Sequence, residues 1–147
     1  MSESSKENAE REPKPPRIVL VEDNDGDVRL LEKALRAAGI AYELILFEDG
    51  EQAMTAMSSD PTLVPDLILV DLNLPRREGY EVLRMVLAMP RLSGIPVGVL
   101  TSSSAEKDRN RSAIMGVTKY IHKPPTLDEF VKQVGTAVGE LLSGRKR

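Results

Sequence analysis

Five short runs rich in Val, Ile and Leu punctuate the chain: Ile18 to Val21, Tyr42 to Phe47, Leu67 to Val70, Pro96 to Leu100 and Thr118 to Ile121. Between them the apolar residues recur at helical spacing rather than in alternation. A βα unit repeated five times leaves little topological freedom. Each crossover helix must bury its stripe on the sheet, so the strands are parallel and both faces are covered. With right-handed crossovers the chain starts in the middle and winds outward, which predicts an α/β doubly wound five-stranded sheet of order 2-1-3-4-5 with five helices.

That order is the one known for flavodoxin-like folds, whose ligands sit at the carboxyl ends of the strands, at the switch point between the first and third. Local signals bound the helices. The first is expected to start with Asp25 as N-cap and stop at Gly39, with Val28, Leu31, Ala34, Leu35 and Ala38 facing inward. The second runs over about Glu51 to Met57, the third over Glu78 to Met89, and the fourth over Ala105 to Met115, stopped by Gly116. In the fifth, Leu127, Phe130, Val131, Val134, Val138, Leu141 and Leu142 form one stripe.

The 147 residues suffice for one domain with its own core. Residues 1–16, with three prolines, many charges and almost no apolar side chains, read as a disordered arm; 17–143 form the ordered unit and 144–147 a basic tail. No second domain is expected beyond Arg147, so output must come through binding, dimerisation or phosphate relay. Aromatics are only 3% with no Trp, which disfavours stacking platforms, and a net charge of −3 disfavours a nucleic-acid surface. Without cysteine there are no disulfides and no thiolate chemistry. No apolar run is long enough for a membrane span, and the expectation is a cytoplasmic protein without nucleic-acid or membrane partners.

The strand ends carry the chemistry. The first ends in Val21-Glu22-Asp23, the third in Val70-Asp71, the fourth in Leu100-Thr101-Ser102 and the fifth in His122-Lys123-Pro124. Three carboxylates, a hydroxyl and an ammonium converge. Carboxylates roughly 4.5 Å apart repel by about 4 kcal/mol at an effective dielectric near 20, so the site needs a cation. Oxygen donors without His or Cys select a hard ion, Mg²⁺ or Mn²⁺. A calcium loop starting at Asp23 fails, because Val28 and Ala34 stand where an EF-hand requires Gly and Glu. Asp25 and Asp27 read as first-turn helix residues favoured by the dipole. Strand alternation sends His122 away from the site, and Ser102 to Ser104 read as a loop and helix cap.

With Glu22-Asp23 after the first strand, Asp71-Leu-Asn-Leu-Pro after the third, Thr101 after the fourth and Lys123-Pro124 after the fifth, the chain resembles a response-regulator receiver domain over residues 17–143. The run Glu22-Asp-Asn-Asp-Gly-Asp-Val-Arg-Leu is similar to single-domain regulators paired with bacterial phytochromes. The resemblance implies that Asp71 accepts a phosphoryl group from a sensor histidine kinase, with Lys123 and Thr101 as further catalytic groups. It implies metal ligation by Asp23, Asp71, the backbone carbonyl of Asn73, and Glu22 directly or through water, where many receivers have Asp. It makes Thr101 and Tyr120 the switch, places a cis bond before Pro124, and puts kinase contacts at Gly26, Asp27, Leu30 and Pro124. A homodimer through the fourth helix, fifth strand and fifth helix is the family's habit.

Three rival functions remain: a receiver-like scaffold without phosphotransfer, a haloacid-dehalogenase-type hydrolase, and a flavin carrier. The hydrolase wants a second Asp two residues after the nucleophile, where this chain has Asn73. The flavin carrier wants aromatics and a glycine in the serine loop, and both are lacking.

Overall fold

A computed structural model of the chain describes residues 14–144. The five strands are β1 (Arg17–Val21), β2 (Glu43–Phe47), β3 (Leu67–Val70), β4 (Val97–Thr101) and β5 (Lys119–His122). They alternate with α1 (Asp25–Ala37), α2 (Gly50–Ser59), α3 (Glu78–Ala88), α4 (Glu106–Met115) and α5 (Leu127–Ser143). All neighbours pair parallel in the order β2-β1-β3-β4-β5, as the crossover argument requires. Of the expected disordered arm, residues 1–13 lie outside the described residues, as do Arg145 to Arg147 of the basic tail. Pro16 already joins the sheet edge, its carbonyl accepting from Glu43 N at 2.8 Å.

Alternate residues of each strand serve opposite halves of the core. Ile18, Leu20, Leu67, Leu69, Leu100 and Ile121 face α1 and α5, packing on Leu31, Leu35, Phe130, Val134 and Val138. Val19, Val21, Ile68, Val70, Val97 and Val99 face the other way, onto Ala53, Met57, Val82, Leu83 and Val86 of α2 and α3. Helices α1 and α5 approach closely because Gly135 has no side chain. A Cβ there would lie 3.0 Å from the Ala34 carbonyl oxygen and 3.2 Å from Ala38 Cβ.

Several helix details depart from expectation. The N-cap of α1 is Asn24, not Asp25: Asn24 keeps an extended backbone and its amide oxygen accepts from Asp27 N at 2.9 Å, whereas Asp25 is already helical. Gly39 does sit past the end with φ 71°, but Ala38 is exposed because the helix has stopped before it. Leu127, the first residue of α5, is likewise exposed. The serines do not cap α4, whose N-cap Ala105 has no side-chain bond; Gly116 ends that helix at φ 100°. Helix α4 carries one buried residue, Ser112, and leaves Ile114 86% exposed. No peptide bond among the described residues is cis, so the bond before Pro124 is trans. Lys123 is aimed instead by its own N–H, donated to the Thr101 carbonyl at 2.7 Å, and by its ion pairs.

Candidate phosphoacceptor and metal site

The ladder registers set the site. Val21 pairs with Val70, and Val70 with Val99, so β1, β3 and β4 release their next residues at one edge. Glu22 N donates to Phe47 O at 3.0 Å and Asp71 N to Val21 O at 3.1 Å, which carries the sheet's order one residue into the site. Glu22 is only 2% exposed, Asp71 3% and Lys123 8%, while Asp23 is exposed. One carboxylate oxygen from each of Glu22, Asp23 and Asp71 lies within 4.8 Å of the others. Such a trio of oxygen donors fits a hard divalent cation.

Lys123 reaches into this trio. Its ammonium donates to Glu22 Oε1 at 2.7 Å and to Asp71 Oδ2 at 3.4 Å. A third bond was not foreseen: the same ammonium donates to Asp27 Oδ2 at 2.8 Å. Asp27 lies in the first turn of α1 behind the Asn24 cap, and packing of that helix start against the Lys123 loop brings the pair together. Asp71 Oδ1 accepts from Asn73 N at 2.9 Å, which orients the carboxylate.

The charge balance shows in the protonation of the buried pair. Burial pushes the Glu22 carboxyl up to about 7; the bond from Lys123 opposes this, and the nearby Asp71 carboxyl adds to it. Burial alone would lower Lys123, but bonds to Asp27 and Glu22 and the charges of Asp71 and Glu22 outweigh it and hold the ammonium above its ordinary value. Acids outnumber the ammonium in this cluster, the carboxyls of Glu22, Asp23, Asp27 and Asp71 against Lys123 alone.

Thr101 is wholly buried at the end of β4, its hydroxyl oxygen accepting from Ser103 N at 3.3 Å. A polar chain runs outward from this loop and was not legible beforehand. The Asn73 amide donates to the Ser102 hydroxyl, and Ser103 Oγ donates to Asp108 Oδ2 at 2.5 Å. Asp108 also accepts from the Tyr80 hydroxyl. These two bonds, that from Ser103 foremost, hold the Asp108 carboxyl below its ordinary value. Tyr120, half-buried on β5, donates its hydroxyl to Ser103 O at 2.6 Å, with the Arg109 guanidinium 4.6 Å from its ring centroid.

His122 stays out of the acidic cluster, its Nε2 3.1 Å from the Ser102 carbonyl oxygen. Of the expected partner contacts, Gly26 is exposed and Asp27, Leu30 and Pro124 are partly so.

The profile of the response regulator receiver domain matches residues 18–135, most of the described chain. The chain belongs to the response regulator receiver family. This receiver is 39% identical over 128 residues to the response regulator Rcp1 of Synechocystis sp., an alignment covering 84% of the chain and 87% of Rcp1. It superposes on the phosphorylated cyanobacterial phytochrome response regulator RcpA with a TM-score of 0.81 at 36% identity, covering 90% of this chain and 98% of that one. The Mn²⁺-bound form of Rcp1 follows at a TM-score of 0.79 and 37% identity, again covering 90% and 98%. Receiver domains take phosphoryl groups from histidine kinases. In this receiver, no helix among the described residues is long and apolar enough to cross a membrane.

Proposed function

We propose that this receiver accepts a phosphoryl group from the phosphohistidine of a sensor histidine kinase onto Asp71, and that the modification switches a binding surface. One observation carries the reading: the buried Asp71 carboxylate stands among Glu22, Asp23 and Lys123 at the carboxyl edge of the sheet. A structural acid would have no use for two further carboxylates beside it. The likeness to phytochrome response regulators supports a phytochrome-type kinase as the donor.

In this reading Mg²⁺ or Mn²⁺ is held by Asp23, Asp71 and the Asn73 backbone carbonyl, with Glu22 acting directly or through water. When bound, the ion neutralises charge on the acids and on the transferred group. Asn73 N–H fixes Asp71 Oδ1, leaving Oδ2 on the lysine side as the attacking oxygen. The P–O bond to that oxygen forms as the P–N bond of the phosphohistidine breaks. Lys123 and the Thr101 hydroxyl then bond the phosphoryl oxygens, and movement of the Thr101 loop is passed to Tyr120 through Ser103.

The kinase would dock over the rim formed by Gly26, Asp27, Leu30 and Pro124. A groove of about 830 Å³ between β5 and α5, lined by Ile121, Pro124, Pro125 and Ala137 as well as by Lys119, Lys132, Asp128 and Glu140, supports a homodimer face of mixed apolar and charged character across α4, β5 and α5. The receiver unit spans 17–143 and works in the cytoplasm. Incubation with Mg²⁺ and acetyl phosphate should add one acid-stable, base-labile phosphoryl group, absent from Asp71→Asn; no labelling of the wild type would refute the reading.

A further inference from the structure

An ammonium has three N–H donors and no acceptor. On Lys123 these meet Glu22 at 2.7 Å, Asp27 at 2.8 Å and Asp71 at 3.4 Å. Once Oδ2 of Asp71 carries the phosphoryl group, its long 3.4 Å bond passes to a phosphoryl oxygen, and a second, short donor reaches that group only if Glu22 or Asp27 lets go. The two are not equally free to do so. The side chain of Glu22 is 1% exposed, whereas that of Asp27 is 29% exposed. Releasing Glu22 would strand a buried carboxylate without its cation, a costly event. Asp27 can turn its carboxylate to water at little cost, because ion pairs open to solvent contribute little. Its backbone, meanwhile, is pinned by the Asn24 cap, so the side chain returns to the same place.

We propose that Asp27 is a positioning residue: it holds Lys123 in the unphosphorylated receiver and is exchanged for a phosphoryl oxygen when Asp71 is modified. This rests on Asp71 being the phosphoacceptor. Asp27 thereby opposes phosphorylation, and neutralising it favours the modified state. Asp25 provides the charge-matched control, since it lies in the same helical turn and is exposed, and no hydrogen bond ties it to the lysine.

The test is calorimetric binding of beryllofluoride, a phosphoryl mimic, to the full chain in saturating Mg²⁺. Asp27→Asn is expected to bind it roughly 3- to 10-fold more tightly than Asp25→Asn, the difference a partly exposed charged hydrogen bond makes. Mg²⁺ affinity should be alike in the two variants. In the wild type, an NMR hydrogen-bond correlation between the Lys123 ammonium and the Asp27 carboxylate carbon is expected without the mimic and lost with it. Equal or weaker mimic binding by Asp27→Asn than by Asp25→Asn, or a correlation that survives the mimic, overturns the exchange while leaving Asp71's role intact. A wild type that binds no mimic with Mg²⁺ brings down the phosphoacceptor reading and the exchange with it.

Discussion

Gly79 stands so close to the main chain of Asp71 that a Cβ built on it would lie 2.5 Å from the Asp71 carbonyl oxygen and 3.0 Å from Leu72 Cα. Both contacts are backbone, so neither yields cheaply. The start of α3 therefore braces the segment that presents Asp71. Gly79→Ala is expected to lose about 1–3 kcal/mol of stability through overpacking and to slow labelling by acetyl phosphate. Gly139→Ala, whose added Cβ would meet only Ile40 Cδ1 at 3.9 Å, should be neutral or stabilising. Urea unfolding of both variants checks the contrast.

Asp71→Asn should abolish labelling and yet stabilise the metal-free protein. Carboxylates within 4.8 Å repel one another, and Lys123 offsets only part of that repulsion among three acids. An amide keeps the bond from Asn73 N–H and removes one charge. A gain of about 1 kcal/mol is expected, read as a raised melting temperature without divalent ions. A lowered one would mean that the acids are balanced already.

Glu22 is expected to make both stability and metal binding depend on pH, in opposite senses. Its carboxyl is raised from 4.5 to about 7, so the folded state holds this proton more tightly than the unfolded chain. The associated stability is complete below the unfolded value and is lost as pH rises through the folded one. A divalent cation competes with the same proton, so its affinity should drop by up to about tenfold from pH 8 to pH 6. Calorimetry on the wild type and Glu22→Gln checks this, the variant being expected to show a flatter profile.

Asp108 ties α4 to the site loop by accepting from Ser103, and to α3 by accepting from Tyr80. Asp108→Ala leaves the buried Tyr80 hydroxyl without this acceptor and should cost about 1–3 kcal/mol. Because the folded carboxyl titrates below its ordinary value, its contribution is present above that value and fades as pH falls through the lowered one. Faster hydrogen exchange at Ser103 N–H in the variant would show that the loop has loosened.

The sheet order and the acids at its edge were legible because β-rich runs and the residues following them are local features. Helix α4 was legible only by its place in the alternation and its stop at Gly116, since its residues Glu106 to Met115 carry no apolar stripe. The choice between Asn24 and Asp25 as cap was not, for both residue types cap well and the backbone decides. The bond from Lys123 to Asp27 spans 96 residues and that from Tyr80 to Asp108 spans 28, distances over which spacing says nothing. Only packing of the helices brings those pairs together.

Strand β3 reads Leu67-Ile68-Leu69-Val70 and is apolar on both faces, so sliding it by one residue would leave both cores greasy. Hydrophobicity cannot tell the correct alignment from the shifted one. The aspartates at its ends can: Asp66 accepts from Arg17 N at 2.8 Å, and Asp71 N bonds Val21 O at 3.1 Å. A slip in either direction would drag a carboxylate between the sheets of side chains. The acid assigned to chemistry is thus also a ruler mark, measuring where the central strand must stop.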